Sequence, residues 1–348
     1  MRKVLVILCF FLLCAVPPVS FAKNAAVISS LSGSVSYRDR DNVPYRTVKK
    51  GTPLGVGYWV KTGDNGWTVV TLSDGSKLTL ANNTELKITK FMAGKKRKEG
   101  IFSILQGKLR AAIVHLSGET VDYKVQSRTA VAGIKGTEFM MMAQGQANVF
   151  FGDEGVAGIS GGATSAKPLG AGAMVQNTRG FTPVDAVKVA KGTPLEAAKK
   201  NFEAITAATP PKDWELSNNL PNIIARWNIN YGHYLADSGK YDDALYVFQI
   251  ALDLTALPEI RSDARLEKAT VYSRFLKNPE AALAQYLLVL EEYPGAPQRE
   301  TALFQAGMTL YEMGFKGRAK ERLLQYKREY PYGRDIGNVD TFLNELDK

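Results

Sequence analysis

The sequence predicts a multidomain β + α chain: an all-β module of short strands, then an all-α array of helical hairpins. Three observations carry this. Up to about residue 176, short alternating segments separated by Gly, Asn and Asp recur roughly every ten residues, the spacing of sheet proteins. After residue 224 a pattern of glycine, alanine and proline recurs three times in phase. Charge divides at the same place: residues 23–192 carry 23 Lys and Arg against 12 Asp and Glu, whereas residues 193–348 carry 19 against 22. Any attraction to anionic surfaces therefore belongs to the first part.

Ahead of both parts, Arg2 and Lys3 precede an apolar run from Val4 to Val16, and Pro17 and Pro18 break it before Ser20, Phe21 and Ala22. A basic start, an apolar stretch and small residues around a bulky one make the pattern of a secretory signal. The run falls short of the roughly 20 residues that span a bilayer. Cleavage is expected after Ala22, delivering the chain to the periplasm. Leu13 precedes Cys14 where lipoprotein processing wants a small residue, which argues against a lipid anchor. No later segment is long and apolar enough to cross a membrane.

Both cysteines, Cys9 and Cys14, lie inside residues 1–22. The mature chain then has no thiol for disulfides, nucleophilic catalysis or zinc ligation. His115 and His233 are the two histidines, so no metal and no cofactor is expected. Export also makes nucleic acid an improbable partner.

Residues 23–176 read as strands. Val69 to Leu72, Lys77 to Leu80 and Glu85 to Ile88 alternate apolar with polar residues. Asp74-Gly75 supplies a tight hairpin turn between the first two, and Asn82-Asn83 marks the next. A sandwich, a roll or a solenoid of sheet would each fit. Lys95-Lys96-Arg97-Lys98 reads as a solvated loop tip. Glycines crowd residues 152–172, as in narrow sheet that turns tightly.

Residues 177–221 read as a linker with one helix. Thr193-Pro194-Leu195-Glu196 has a capping threonine, a first-turn proline and a glutamate that can reach back. That helix should run to about Ala208, ahead of Pro210-Pro211.

Residues 222–348 form the repeats. A start at Ala225 puts Gly232, Ala244, Phe248 and Ala251 in phase. A start at Asp263 gives Thr270, Ala282, Tyr286 and Pro294, and one at Glu300 gives Gly307, Ala319, Leu323 and Pro331. Small residues at the first two places let two helices approach closely, and proline ends the second helix. A closing helix is expected from Val339 to Leu346. This array resembles tetratricopeptide repeats. The resemblance implies a partner-binding groove lined by the first helix of each unit, at Arg226, Ile229 and His233, then Glu267, Val271 and Arg274, then Phe304, Met308 and Tyr311. Arg and Tyr are favoured at binding hot spots.

The β module resembles the FecR domain over roughly residues 27–150. Gly33-Ser34-Val35, Val60-Lys61-Thr62-Gly63-Asp64 and Leu72-Ser73-Asp74-Gly75-Ser76 match, and the most specific stretch runs from Thr129 to Phe139. Within it stand Gly133, Gly136, Thr137 and Phe139, read as a tight strand junction needing glycine and a bonded hydroxyl. The family is β-rich, envelope-facing and not catalytic. Its namesake relays an iron-transport signal to a sigma factor, with a cytoplasmic segment and a membrane span ahead of the domain. Here a cleavable signal stands in their place, so the resemblance implies a binding or scaffold role.

Catalytic patterns do not hold. Gly158-Ile159-Ser160-Gly161-Gly162 has the letters of a nucleophile elbow, but glycine and proline follow where a helix is required. Phosphate-loop and dinucleotide motifs are absent. Asp242-Asp243 and Glu291-Glu292 read as helix-end and surface charge. The expectation is a non-enzymatic envelope scaffold or signalling adaptor that binds a protein through the groove and an anionic glycan or lipid surface through the basic module. The alternative is a peptidoglycan- or polysaccharide-binding protein whose repeats are structural.

Overall fold

A computed structural model describes residues 24–134, 136–214 and 219–348. The segment read as a signal lies outside the described residues. From residue 24 onward the chain builds two sheets and then helices, three layers in all.

The strands form a sandwich. One sheet runs through Pro53–Leu54, Ala26–Ser32, Trp67–Leu72, Lys77–Leu80, the second half of Arg97–Ala112, Glu138–Gln144, Ala147–Glu154, Ala173–Thr178 and Val187–Lys188. The other runs through Arg46–Thr47, Val35–Arg38, Trp59–Thr62, Glu85–Ala93, the first half of Arg97–Ala112, Thr120–Gln126, Val131–Ile134, Val156–Ser160 and Lys167–Gly170. Arg97–Ala112 therefore belongs to both, and it changes sheet at Gly107. There φ is +114° and a Cβ would lie 2.3 Å from the Cα of Thr84, so only glycine lets the strand turn. The two expected turns are present: Gly75 (φ +88°) and Asn83 (φ +55°) both take left-handed backbone.

The facing sides of the sheets bury Ile28, Val70, Leu78, Leu86, Phe102, Leu109, Phe139, Met141, Phe150 and Val175. The first sheet is also apolar on its other side, where Trp67, Val69, Met140, Met142, Val149, Phe151 and Met174 point at the helices.

The helices are α1 (Pro194–Ile205), α2 (Leu220–Asp237), α3 (Tyr241–Leu254), α4 (Pro258–Thr270), α5 (Pro279–Glu292), α6 (Arg299–Glu312), α7 (Lys316–Glu329) and α8 (Ile336–Leu346). The start of α1 is the capping arrangement its sequence implied. Thr193 Oγ1 accepts the Glu196 N–H at 3.2 Å, and the Glu196 carboxylate accepts the Gly192 N–H at 2.7 Å. Helices α2/α3, α4/α5 and α6/α7 pair as three hairpins, with α8 packed on the last. The glycine positions behave as the pattern requires: a Cβ at Gly232 would lie 2.4 Å from the Phe248 ring, and one at Gly307 would lie 2.8 Å from Leu323. In the second hairpin Thr270 holds that place, and the chain widens into a π turn over Val271–Phe275 directly after it. Gly232→Ala should cost about 1–3 kcal/mol by overpacking, read as a lower denaturation midpoint.

Sheet and array share one core. Leu195, Ala198, Phe202, Ile205, Ile224, Val247, Phe248 and Ile250 from the helices join the outward face of the first sheet in a single buried cluster. Polar contacts close the seam. The buried amides of Gln176 and Asn228 exchange hydrogen bonds of 2.6 and 3.1 Å. Arg179 holds the Asp253 carboxylate with two bonds, of 2.9 and 3.1 Å, and the Thr178 hydroxyl donates to the same carboxylate at 2.6 Å. On α1, Lys199 bonds Asp153, which also accepts from Arg110.

The Lys95-Lys96-Arg97-Lys98 run is not uniformly a solvated loop. Lys95 and Lys96 are exposed, but Lys98 lies within the strand, is 5% exposed and points inward. Its Nζ is 2.6 Å from Glu119 Oε2 and 3.8 Å from Asp74 Oδ2. Alternation along the strand forces this, because the buried Phe102 and Ile104 set a phase that also turns Lys98 inward.

Candidate functional site

The first helices of the hairpins, α2, α4 and α6, with the π turn Val271–Phe275 that follows α4, carry the nine groove positions, and they divide in two. Ile229, Val271 and Phe304 are buried in packing. Met308 packs against the cluster that holds α8. Tyr311 stacks edge-on against Phe342 at 5.3 Å, and its hydroxyl donates to Glu345 at 3.1 Å. The closing helix therefore occupies the third unit's share of the wall.

The remaining positions carry ionisable groups, and His233 and Glu267 among them meet. Arg226 on α2 lies 3.5 Å from the Glu259 carboxylate and 3.9 Å from that of Asp263, both on α4. His233 Nδ1 lies 3.4 Å from Glu267 Oε2. Arg274 is exposed and rests over the Phe275 ring at 5.7 Å. Glu259, Asp263 and Glu267 stand four residues apart, so they form one carboxylate stripe along α4. Burial raises the pKa of both Asp263 and Glu267, and the nearby Arg226 and His233 oppose that rise in part. Sequence reading found Glu267 and missed the stripe, although the i, i+4, i+8 spacing of acids was visible.

The FecR-like stretch is where the chain crosses between sheets. Gly133 lies in register with Gly158, a pair without side chains between two adjacent strands. Gly136 has φ +74°, and a Cβ there would lie 2.5 Å from that of His115. Phe139 is 1% exposed in the sandwich core. Lys135 lies outside the described residues. The expected bonded hydroxyl is not found: Thr137 is 5% exposed, and its Oγ1 has no hydrogen-bond partner among the described residues. The junction is held instead by the Thr137 carbonyl, which accepts the Ile113 N–H at 3.2 Å, and by Arg110, which donates to Glu138 at 2.5 Å.

Ser160 ends the strand Val156–Ser160, and a turn follows in which the Gly161 N–H donates to Thr164 Oγ1 at 3.0 Å. A strand followed by a turn cannot present serine as a nucleophile elbow does. Among the described residues no group of three or more His, Cys, Asp or Glu could hold a metal, and no helix is long and apolar enough to cross a membrane.

A second surface lies on the other sheet. Arg38 sits between the rings of Tyr45 and Trp59, at 4.8 and 4.7 Å. Arg46 lies over Tyr37 at 5.2 Å, and Lys87 over Trp59 at 5.1 Å. Cations and rings thus alternate on the outer side around Arg38, Tyr45, Trp59 and Lys87, whereas Tyr37 also packs against the sandwich core.

Residues 59–153 match the family model described as FecR protein. No curated protein matches the chain. Among solved structures, the chain is similar to a putative anti-sigma factor from Parabacteroides distasonis (TM-score 0.32, 15% identity, 37% of this chain and 59% of that one). It is also similar to the Yersinia enterocolitica type III secretion chaperone SycD in complex with a peptide of the translocator YopD (TM-score 0.30, 18% identity, 35% and 91%). A third is the second TPR domain of human RPAP3 in complex with an HSP70 peptide (TM-score 0.30, 16% identity, 37% and 98%). The chain spans 59% of the anti-sigma factor's length. Over residues 59–153, and not over its whole length, this chain is matched to the FecR family, with three helical hairpins behind that module.

Proposed function

We propose that the protein is a non-enzymatic adaptor of the cell envelope that holds a charged segment of a partner protein along α2 and α4. One observation carries this reading. The apolar groove positions are consumed by the fold's own packing, whereas Glu259, Asp263 and Glu267 gather against Arg226 and His233, three acids against two bases. Holding Asp263 and Glu267 partly desolvated costs stability, and a partner's Lys or Arg would offset that cost. The test is a photo-crosslinking residue at His233 or Arg274 in cells. One discrete adduct is expected at both positions and is lost when Glu267→Lys reverses the wall. Absence of any adduct, or an adduct indifferent to that reversal, refutes the proposal.

The compartment belongs to the same proposal. The basic, apolar and small-residue order of residues 1–22 supports export to the periplasm. Amino-terminal sequencing of the purified protein should begin at Lys23; an uncleaved chain retained in the cytosol contradicts it.

The cation and ring layer favours a second reading, in which the β module binds peptidoglycan or another acidic glycan or lipid surface. Isolated cell wall should then sediment the protein, and Lys61→Glu, at an ammonium 5.6 Å from the Tyr45 ring, with Lys87→Glu should release it as salt does. Sedimentation unchanged by both removes this reading.

A further inference from the structure

The seam between sheet and helices contains a cavity of about 240 Å³ that the groove does not use. Its floor is Lys108, on the strand shared by the two sheets. Lys108 is in register with Met142, so it leaves the sheet on the helix-facing side. It is 5% exposed. Among the described residues its ammonium has no hydrogen-bond or ion-pair partner, and no Asp or Glu lines the cavity. Burial alone pushes its pKa down to about 8.

The rest of the wall has the same polarity. Asn83 and Gln144 come from the sheet side, and Asn222 and Thr255 from the helix side. The Thr255 hydroxyl donates to Asn222 Oδ1 at 2.5 Å, which fixes the orientation of an amide whose Nδ2 hydrogens are donors. Lys108 and Asn222 thus line one space from two layers. Buried charges in folded proteins are ordinarily paired. The volume is several times the roughly 30 Å³ share of one water.

We infer that this cavity binds a small oxyanion, of carboxylate or phosphate type, between Lys108 on the sheet and Asn222 on α2. The ligand supplies the counter-charge that Lys108 lacks and bridges the two layers. Binding requires the protonated amine. Between pH 7 and pH 9 the protonated fraction of Lys108 falls about tenfold around a pKa of about 8, and affinity should fall with it.

Titration calorimetry at constant ionic strength tests this with sulfate and acetate, whose charges do not change over that interval. Saturable binding by the full chain at pH 7 is expected. Sulfate preferred over acetate marks the site as phosphate-like, and the reverse order marks it as carboxylate-like. Lys108→Met should weaken binding at least tenfold. Asn222→Asp, which keeps the shape and adds a negative charge, should do the same should the first variant fold poorly. Raising the pH to 9 should cost about tenfold. No saturable binding of either anion, or equal affinity in a folded Lys108→Met protein, overturns the inference.

Discussion

Truncating Phe202 to alanine should lower the stability of the protein by about 3–5 kcal/mol, the range for emptying a buried aromatic site. Phe202 is completely buried on α1, and its ring meets the edge of Phe151 from the sheet at 6.1 Å and 86°. The empty site would open against Phe151, inside the core that the sheet and the helices share. Little can collapse into it without moving a whole layer. Because the layers share this core, the loss should be felt in both. Tryptophan fluorescence, which includes Trp67 in the sheet and Trp227 in α2, and far-ultraviolet dichroism of the helices should report one coincident transition. Both midpoints should move together in Phe202→Ala. Two separate transitions, only one of them shifted, would mean that sheet and array fold independently and that the seam contributes little.

The fold class could be read from the residues because each part obeys one periodicity. Alternation in Lys77 to Leu80 and the turn at Asp74-Gly75 specify strands, and the recurrence of Gly232, Gly307, Pro294 and Pro331 specifies hairpins. The packing of one part on the other depends on a quieter signal. Phe139-Met140-Met141-Met142-Ala143 and Val149-Phe150-Phe151 are apolar without alternation. That is how a strand reads when both of its faces are covered, here by the second sheet and by the helices. A central strand of this kind points to a third layer, and the helices supply it.

The candidate groove was legible in position but not in exposure. Repeat phase fixes which residues belong to the first helices: seven of the nine lie on α2, α4 and α6, and Val271 and Arg274 fall in the π turn that follows α4. It does not tell which of them the chain covers for itself. Val271 and Phe304 sink because neighbouring units need apolar contact, and α8 takes Tyr311. Lys108 was silent for a related reason. Nothing local distinguishes a lysine that snorkels to water from one that a layer from elsewhere in the chain has covered.

Asp74 should prove the most sensitive of the turn residues, because its side chain serves far more than the turn. Its two carboxylate oxygens accept the Ser76 N–H at 3.0 Å, the Ser76 hydroxyl at 3.0 Å and the Tyr123 hydroxyl at 2.8 Å, with Lys98 Nζ at 3.8 Å. Tyr123 is completely buried, and its pKa is raised by burial and by that carboxylate, so its proton stays on the phenol. Asp74→Ala strands the hydroxyl and half of the environment of Lys98, for an expected loss of about 3 kcal/mol in chemical denaturation. Asp74→Asn keeps an acceptor for Tyr123 and should lose less. The acid limb adds a second reading of the same cluster. The Lys98 hydrogen bond holds Glu119 below its ordinary pKa of 4.5. A depressed carboxylate contributes stability that is present above 4.5 and is lost as the pH falls through the folded value. Lys98→Met should therefore flatten the fall in stability at and below that pH, while wild type and Lys98→Arg keep it. If Lys98→Met left the acid limb unchanged, Lys98 would be a solvated cation after all, and strand alternation would not be what turns it inward.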